Sequence, residues 1–567
     1  MTISVAYFTN NTINRNYDAR AFGYIAEPNI IQPAILNAAQ SLGISAAAIA
    51  GAMAEENHAY LQEETLQKGL DFYAKSNASP QAFLSDVTQY GLVFALAKLP
   101  VNFALGNRSH AEWAADYAAI QSTADDPHGL TDKLLHPSLI DLGPANFKMA
   151  TAIRLLNDPK RQADVTALGL DSYKTHYDLL AADLIDPQNG LTAKLYGLMI
   201  KEADEWFVGK QAYGNQWGSL PQTFKDALYV TYTNFGKKLI EQKYSELAPG
   251  QAYEPLPAEG TGGGINHLAN TLQIGAAIGS TGYGQDVIKI PSTTELVNAA
   301  KASNDSGLAY RYALKNLKPV ALIGLDYTAK NVHGELDLYD PATEAGNLTD
   351  SYLSDRAKFL SWKILADTQE KTTLSGPNGP DNWQFTDLPG NYTLNVAGSD
   401  STHPFHKIIF DGDTANWIDG GTEADYLYGG GGDDIVKGGD GNDYLEGELG
   451  SDELQGGSGN DTLVGGQGAD ILKGEAGKDT LIGGMDTDML EGGQGADRLE
   501  GGLGVDTYQL NSNDGNDTIL DADGQGIVQL DGTTLNGGDY RSPGLWAKGG
   551  VTYQFNPGAN GRGDLIL

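Results

Sequence analysis

Three patterns of apolar and polar positions divide the chain. From about residue 30 to 245, alanine and leucine recur at intervals of three and four, while glycine, proline and Asp or Ser mark the ends of the runs. This predicts a mainly helical region. Pro33 stands where a first helical turn would begin, and Gly43 where that helix would end. Ser45 can then cap a second helix, from Ala46 to about Asn57. Residues 246–265 are rich in Pro and Gly and read as a linker. Beyond it, helical runs from Leu308 to Leu317 and from Asp350 to Leu365 mix with loops, and 380–410 read as short strands, as in YTLNVAG and HKIIFDG.

The third pattern is a strict period of nine. Asp425 is followed at that step by Asp434, Asp443, Asp452, Asp461, Asp470, Asp479, Asp488, Asp497 and Asp506. Two places after each stands Leu427, Val436, Leu445, Leu454, Leu463, Leu472, Leu481, Leu490, Leu499 or Tyr508. A glycine-rich hexamer leads into each aspartate, as in Gly456-Gly457-Ser458-Gly459-Asn460-Asp461. A short strand around each apolar position sends one side chain inward, and stacked turns bury the resulting column. Glycines permit the turns and expose carbonyl oxygens. Carbonyls and carboxylates together make the oxygen set that a hard cation such as calcium takes. A flexible linker would have neither the strict period nor the buried column.

Charge strengthens that reading. Between Gly420 and Gln509 there are 20 acidic residues against 4 basic ones, a net of −16, so without cations this stack repels itself. The whole chain of 567 residues carries −36, which argues against a nucleic-acid backbone or an anionic membrane surface as partner. There is no cysteine, hence no disulfide, no thiolate metal site and no cysteine protease. No apolar stretch is long enough to span a bilayer. The start, MTISVAYFTNNTINRNYD, lacks the basic and apolar regions of a secretory signal, so an export signal would lie elsewhere.

Candidate chemistry in the helical region centres on Glu56. Ile49, Met53 and Glu56 share one helix face, which puts a carboxylate at the end of an apolar stripe. Desolvation there raises its pKa, as a general acid for glycoside cleavage requires. Glu55 leaves the helix about a hundred degrees away. By spacing alone, two glutamates ending a helix read as a solvated terminus. HExxH and GxSxG are both absent, which argues against a zinc protease of that type and an α/β-hydrolase lipase. His403 and His406 are candidates for a metal pair, with surface histidines the plainer reading.

The nonapeptide, in the form GGxGxDxUx, resembles the repeat of the RTX family. The resemblance implies a parallel β-roll that holds several calcium ions (Ca2+), with the ten aspartates as ligands. Glu448 and Glu475 replace the second glycine, and Glu423 and Asp486 the third. Asn416, one register earlier, and Gly515, one later, stand where aspartates would be, which puts calcium sites at both ends in doubt. The stretch from Gly334 to Leu360 resembles a segment that often precedes such repeats, and residues after 510 resemble the capping region. The resemblance further implies secretion to the extracellular medium by type I secretion machinery, with an uncleaved C-terminal signal. The family carries more chain after the cap than this sequence, which stops at Leu567.

The segment Ile49-Ala50-Gly51-Ala52-Met53-Ala54-Glu55-Glu56-Asn57 resembles the helix that ends in the catalytic glutamate of lysozyme-like lytic transglycosylases and goose-type lysozymes. Asp141-Leu142-Gly143-Pro144-Ala145-Asn146-Phe147-Lys148, followed by Ala150-Thr151-Ala152, is similar to the family's glycine-rich motif. Tyr229 to Gly236, YVTYTNFG, is similar to its Tyr-Asn-x-Gly turn, with Thr233 at the tyrosine position and Tyr232 beside it. The resemblance implies a muramidase acting on the β-1,4 bond between N-acetylmuramic acid and N-acetylglucosamine in peptidoglycan glycan strands. Glu56 would be the acid, and Gly143, Asn146, Tyr232 and Asn234 would line the cleft. Gaps of 87 residues from Glu56 to Gly143 and 89 from Gly143 to Tyr232 demand large helical insertions. The rival reading is a non-enzymatic secreted calcium-binding adhesin or surface-associated protein.

The expected architecture is multidomain. A mainly α, lysozyme-like domain spans 1–245 and a linker 246–265. A mixed α/β connecting region spans 266–410, an RTX β-roll 411–510 and a cap 511–567.

Overall fold

Gly43 adopts a left-handed backbone, φ 64°, and ends helix α1, Ile31–Leu42. Ser45 then accepts the Ala47 N–H at 3.2 Å and opens helix α2, Ala46–Gln62. The second helix therefore runs past Asn57, because the sequence after it has no glycine or proline to stop it. Glu55 and Glu56 lie in its middle third rather than at its end. From Ala47 to Ala54 α2 is buried on every side. Helix α3, Leu191–Gly209, packs against both α1 and α2, and helix α4, Gln222–Thr231, packs against α2. Gly197 allows the close approach of α3, since a Cβ there would meet Leu42 Cδ1 at 2.8 Å.

These statements come from a computed structural model that describes residues 4–7, 25, 28–62, 108–121, 141–142, 147–185, 189–233, 244–245, 247, 253–255, 292–332, 334–340, 346–369, 371–376, 381–399, 402–512, 514–521, 525–534, 539–542, 545–548, 551–557 and 563–566. The chain divides into two compact units, Met1–Ile290 and Pro291–Leu567. Most of the expected linker lies outside the described residues. Within it, Tyr253 O accepts the Tyr213 N–H at 2.8 Å and Pro255 O accepts the Tyr213 hydroxyl at 2.5 Å, so this stretch is part of the first unit.

The second unit begins with helices α5, Thr293–Ala300, α6, Asp305–Lys315, and α7, Asp350–Gln369. The roll follows. Strands Phe405–Phe410, Tyr426–Tyr428, Tyr444–Leu449, Thr462–Gln467, Thr480–Met485, Arg498–Leu503 and Thr518–Asp521 form one parallel ladder. Trp417–Gly421, Ile435–Asp440, Glu453–Ser458, Ile471–Ala476, Met489–Gln494, Thr507–Leu510 and Ile527–Leu530 form the other. Leu445 pairs with Leu463 and Leu463 with Leu481, so one coil is two nonapeptides. All ten apolar residues of the repeat are fully buried between the two sheets, with Ile418 and Ile519 extending the column at either end.

The roll is longer than its regular repeats. It starts at Phe405, where Ile409 pairs with Leu427, and it continues past 510 through a coil that carries two extra residues, pairing Leu499 with Ile519. At its leading end Asn382–Asp387 pairs parallel to Phe405–Phe410 and antiparallel to Tyr392–Ala397. At its trailing end Gly563–Ile566 runs antiparallel to Thr518–Asp521 and closes the edge. Because each coil buries only two large side chains of the repeat between the sheets, one from each nonapeptide, single deletions in the column are costly. Leu463→Ala is expected to lower the stability of the calcium-saturated roll by about 2–5 kcal/mol, read by chemical denaturation, with the calcium count unchanged.

Candidate metal centre

Each repeat aspartate is held by the coil before it. The Asp425 N–H donates to Asp443 Oδ1 at 2.8 Å, Asp434 to Asp452 at 2.7 Å, Asp443 to Asp461 at 2.8 Å, and the row continues through Asp470, Asp479, Asp488, Asp497 and Asp506. One carboxylate oxygen of every repeat is thus fixed by a backbone amide. The other, Oδ2, is buried without a hydrogen-bond partner at Asp425, Asp434, Asp443, Asp452, Asp461, Asp470, Asp479 and Asp497. These side chains are essentially inaccessible, Asp461 at 1% exposed. Leaving a row of buried carboxylate oxygens unpaired is strongly unfavourable, so the row demands cations.

Glycine makes room for them. A Cβ built at Gly456 would stand 2.5 Å from Asp461 Oδ2 and 2.9 Å from the Gly474 carbonyl oxygen of the next coil. Gly438, Gly447, Gly465, Gly474 and Gly483 repeat the arrangement, so a glycine carbonyl lines each aspartate cradle. Gly457 has φ 108°, and a Cβ there would meet the Gly439 oxygen at 2.1 Å. Where Glu448, Glu475 and Asp486 replace such glycines, the backbone stays left-handed at φ 72°, 74° and 79°. Among the described residues no three His, Asp or Glu side chains gather around one point. The aspartate Oδ2 atoms and the glycine carbonyls beside them would hold an ion, a mixed carboxylate and main-chain oxygen set that suits calcium.

Burial also sets the protonation. It pushes the carboxyls up to about 6 at Asp425, Asp452, Asp461, Asp479 and Asp497, to about 7 at Asp434 and Asp443, and to about 8 at Asp470, with neighbouring aspartates adding to the rise in most of them.

Four copies of the RTX calcium-binding nonapeptide repeat match the chain, over residues 410–445, 446–481, 474–508 and 482–519. No curated protein matches it. The C-terminal roll is a parallel β-solenoid of RTX repeats that binds calcium at multiple sites.

The structure brings all ten sequence-identified aspartates into this row. It also adds one that the nine-residue step passes over. The Asp497 N–H donates to Asp517 Oδ1 at 3.1 Å, so Asp517, not Gly515, holds the next position, displaced by the two extra residues of that coil. The pattern was visible in a relaxed form, since Ile519 follows Asp517 at the usual two places. His403 and His406 lie at the leading end of the roll. His406 Nδ1 lies 2.8 Å from Ala424 O, with its ring stacked on Trp383, and His403 O accepts the Asn382 amide at 2.7 Å.

In the helical unit, Gly143, Asn146 and Asn234 and the side chains of Glu55 and Glu56 lie outside the described residues. Tyr232 is 3% exposed and packs against the rings of Trp206 and Phe207. A cavity of about 680 Å³ opens at the start of α2, lined by Ser45, Asp204, Trp217, Gln222, Lys225 and Tyr229. It lies about 15 Å along the helix from Glu56.

Two outcomes follow for the calcium row. Asp461→Ala, in mid-stack, should weaken calcium binding in titration calorimetry more than Asp425→Ala or Asp506→Ala, because it removes a ligand with regular repeat aspartates, Asp443 and Asp479, in the coils on both sides. The pH dependence of the calcium-free roll is reversed from that of an ordinary acidic protein. Its aspartates are held above the unfolded value of about 3.9, so their stabilising effect is complete below about pH 4 and is lost as pH rises through 6 to 8. Chelated protein should resist urea better at pH 5 than at pH 8, while calcium affinity should rise over the same interval as the ligands lose protons.

Proposed function

We propose that this is a secreted protein whose roll folds on calcium outside the producing cell, and whose helical unit is a lysozyme-like domain cleaving the N-acetylmuramic acid–N-acetylglucosamine bond of peptidoglycan. The first half rests on the row of buried, unpartnered carboxylate oxygens. Such a row favours the unfolded chain where calcium is scarce and the folded one where it is plentiful, which is what export through a narrow type I channel requires. Among the described residues no helix is long and apolar enough to cross a membrane.

The second half rests on α2. A helix buried on every side from Ala47 to Ala54 leads to Glu55 and Glu56 from the middle of its domain, as a catalytic acid in a cleft requires. In this reading Glu56 protonates the leaving oxygen and the sugar's own 6-hydroxyl can serve as nucleophile, so no second acid is needed. The burial of Tyr232 favours a second reading, in which the helical unit binds a surface partner without cleaving it.

Clearing of purified peptidoglycan suspensions separates the two. Glu56→Gln should lower the rate by at least about a hundredfold, a typical general-acid contribution, with the fold and calcium response intact. Glu55→Gln should change it little. Equal loss from both, or clearing by neither variant nor wild type, leaves the binding reading.

A further inference from the structure

The leading half-turn of the roll, 411–416, departs from the repeat at three positions: Thr414 replaces the third glycine, and the other two departures are five residues apart. Asn416 occupies the aspartate position, and Asp411 occupies that of the first glycine. Both sit in register with the regular turn one coil later. The Asp411 N–H donates to Tyr428 O at 2.9 Å, as Gly429 does to Glu446 O at 2.8 Å. The Asn416 N–H donates to Asp434 Oδ1 at 2.7 Å, as Asp425 does to Asp443, and Ile418 stands in the buried column.

In the regular turns, a Cβ at the first-glycine position would fall 2.3–2.9 Å from Oδ2 of the aspartate five residues on. A side chain at that position therefore starts inside the cradle that the aspartate oxygen otherwise fills, and the two exclude each other. At 411–416 the acidic residue stands at the first-glycine position and the aspartate position holds an amide. The Asn416 carboxamide donates to Thr414 O at 2.7 Å and Thr414 Oγ1 at 3.2 Å, and it also faces the Asp411 carboxylate. Asp411 is 8% exposed; its Oδ1 accepts the Gly412 N–H at 2.7 Å, and its Oδ2 is buried without a partner, as in the regular aspartates.

We propose that Asp411 supplies the carboxylate that Asn416 lacks, making a further calcium site at the leading end of the roll. A buried carboxylate oxygen with no donor is stabilised by a divalent ion, and the cradle that receives it is already lined with main-chain carbonyls in every coil behind it. The site lies beside the strands that α7 covers, so its ion would tie the first coil to the segment before it.

Bound calcium per full-length chain, measured by equilibrium dialysis and metal analysis, tests this. Asp411→Asn and Asp411→Gly should each bind one ion fewer than wild type, the glycine variant being the repeat's own residue and the safer for folding. Asp411→Gly combined with Asn416→Asp should recover the wild-type count. An unchanged count in Asp411→Gly, or no recovery in the double variant, overturns the proposal while leaving the regular row intact. A wild type that binds no calcium overturns both.

Discussion

A carboxylate buried at every ninth residue is the constraint on which the second unit depends. Each aspartate gives one oxygen to the amide of the coil before it, and that bond keeps the turns in register. The same placement strips the second oxygen of water and of any protein donor. The column of leucines between the sheets supplies the apolar burial, but with two such side chains per coil it cannot offset a row of desolvated like charges. Cations do that, and so the fold and the ligand are one thermodynamic object.

The segment before the repeats is joined to the same row. Helix α7 and the residues leading into it meet the first coils through buried and partly buried polar contacts. The Tyr428 hydroxyl donates to Asp355 at 2.8 Å, the Thr349 hydroxyl to Glu446 at 2.5 Å, and the Gln467 amide to Asn347 at 2.9 Å. Arg356 is fully buried, with its guanidinium 2.7 Å from Asp387 and 4.1 Å from the centre of the Phe410 ring. Tyr428 and Glu446 each follow a calcium aspartate by three residues, on strands whose position the metal row sets. Burial pushes Glu446 up to about 8, so it too favours a proton or a nearby positive charge.

The regular part of this design is legible in the sequence because it obeys a strict code: an aspartate, an apolar residue two places on, and glycines where a Cβ would strike the neighbouring coil. The step of nine failed where the code was kept in substance but shifted in position. Asp517 is two residues late because its coil is two residues longer, and Asp411 stands in a glycine's place. The buried pairing of Arg356 with Asp387 could not be read at all, since it joins a helix to a strand that no local pattern relates. In the helical unit the start of α2 was legible from Gly43 and Ser45, which act locally. Its end was not, because the glutamate pair suggested a terminus and the chain beyond continues as helix.

The central claim is that calcium completes the fold of the roll. Far-ultraviolet circular dichroism of the full chain at pH 8 measures this most directly, first with a strong chelator and then through a calcium titration. The account requires the β-signal to be largely missing under chelation, to appear cooperatively as calcium is added, and to be absent with magnesium, whose compact octahedral shell does not fit a cradle of carbonyls and single carboxylates. A β-signal that is the same with chelator and with saturating calcium would contradict it.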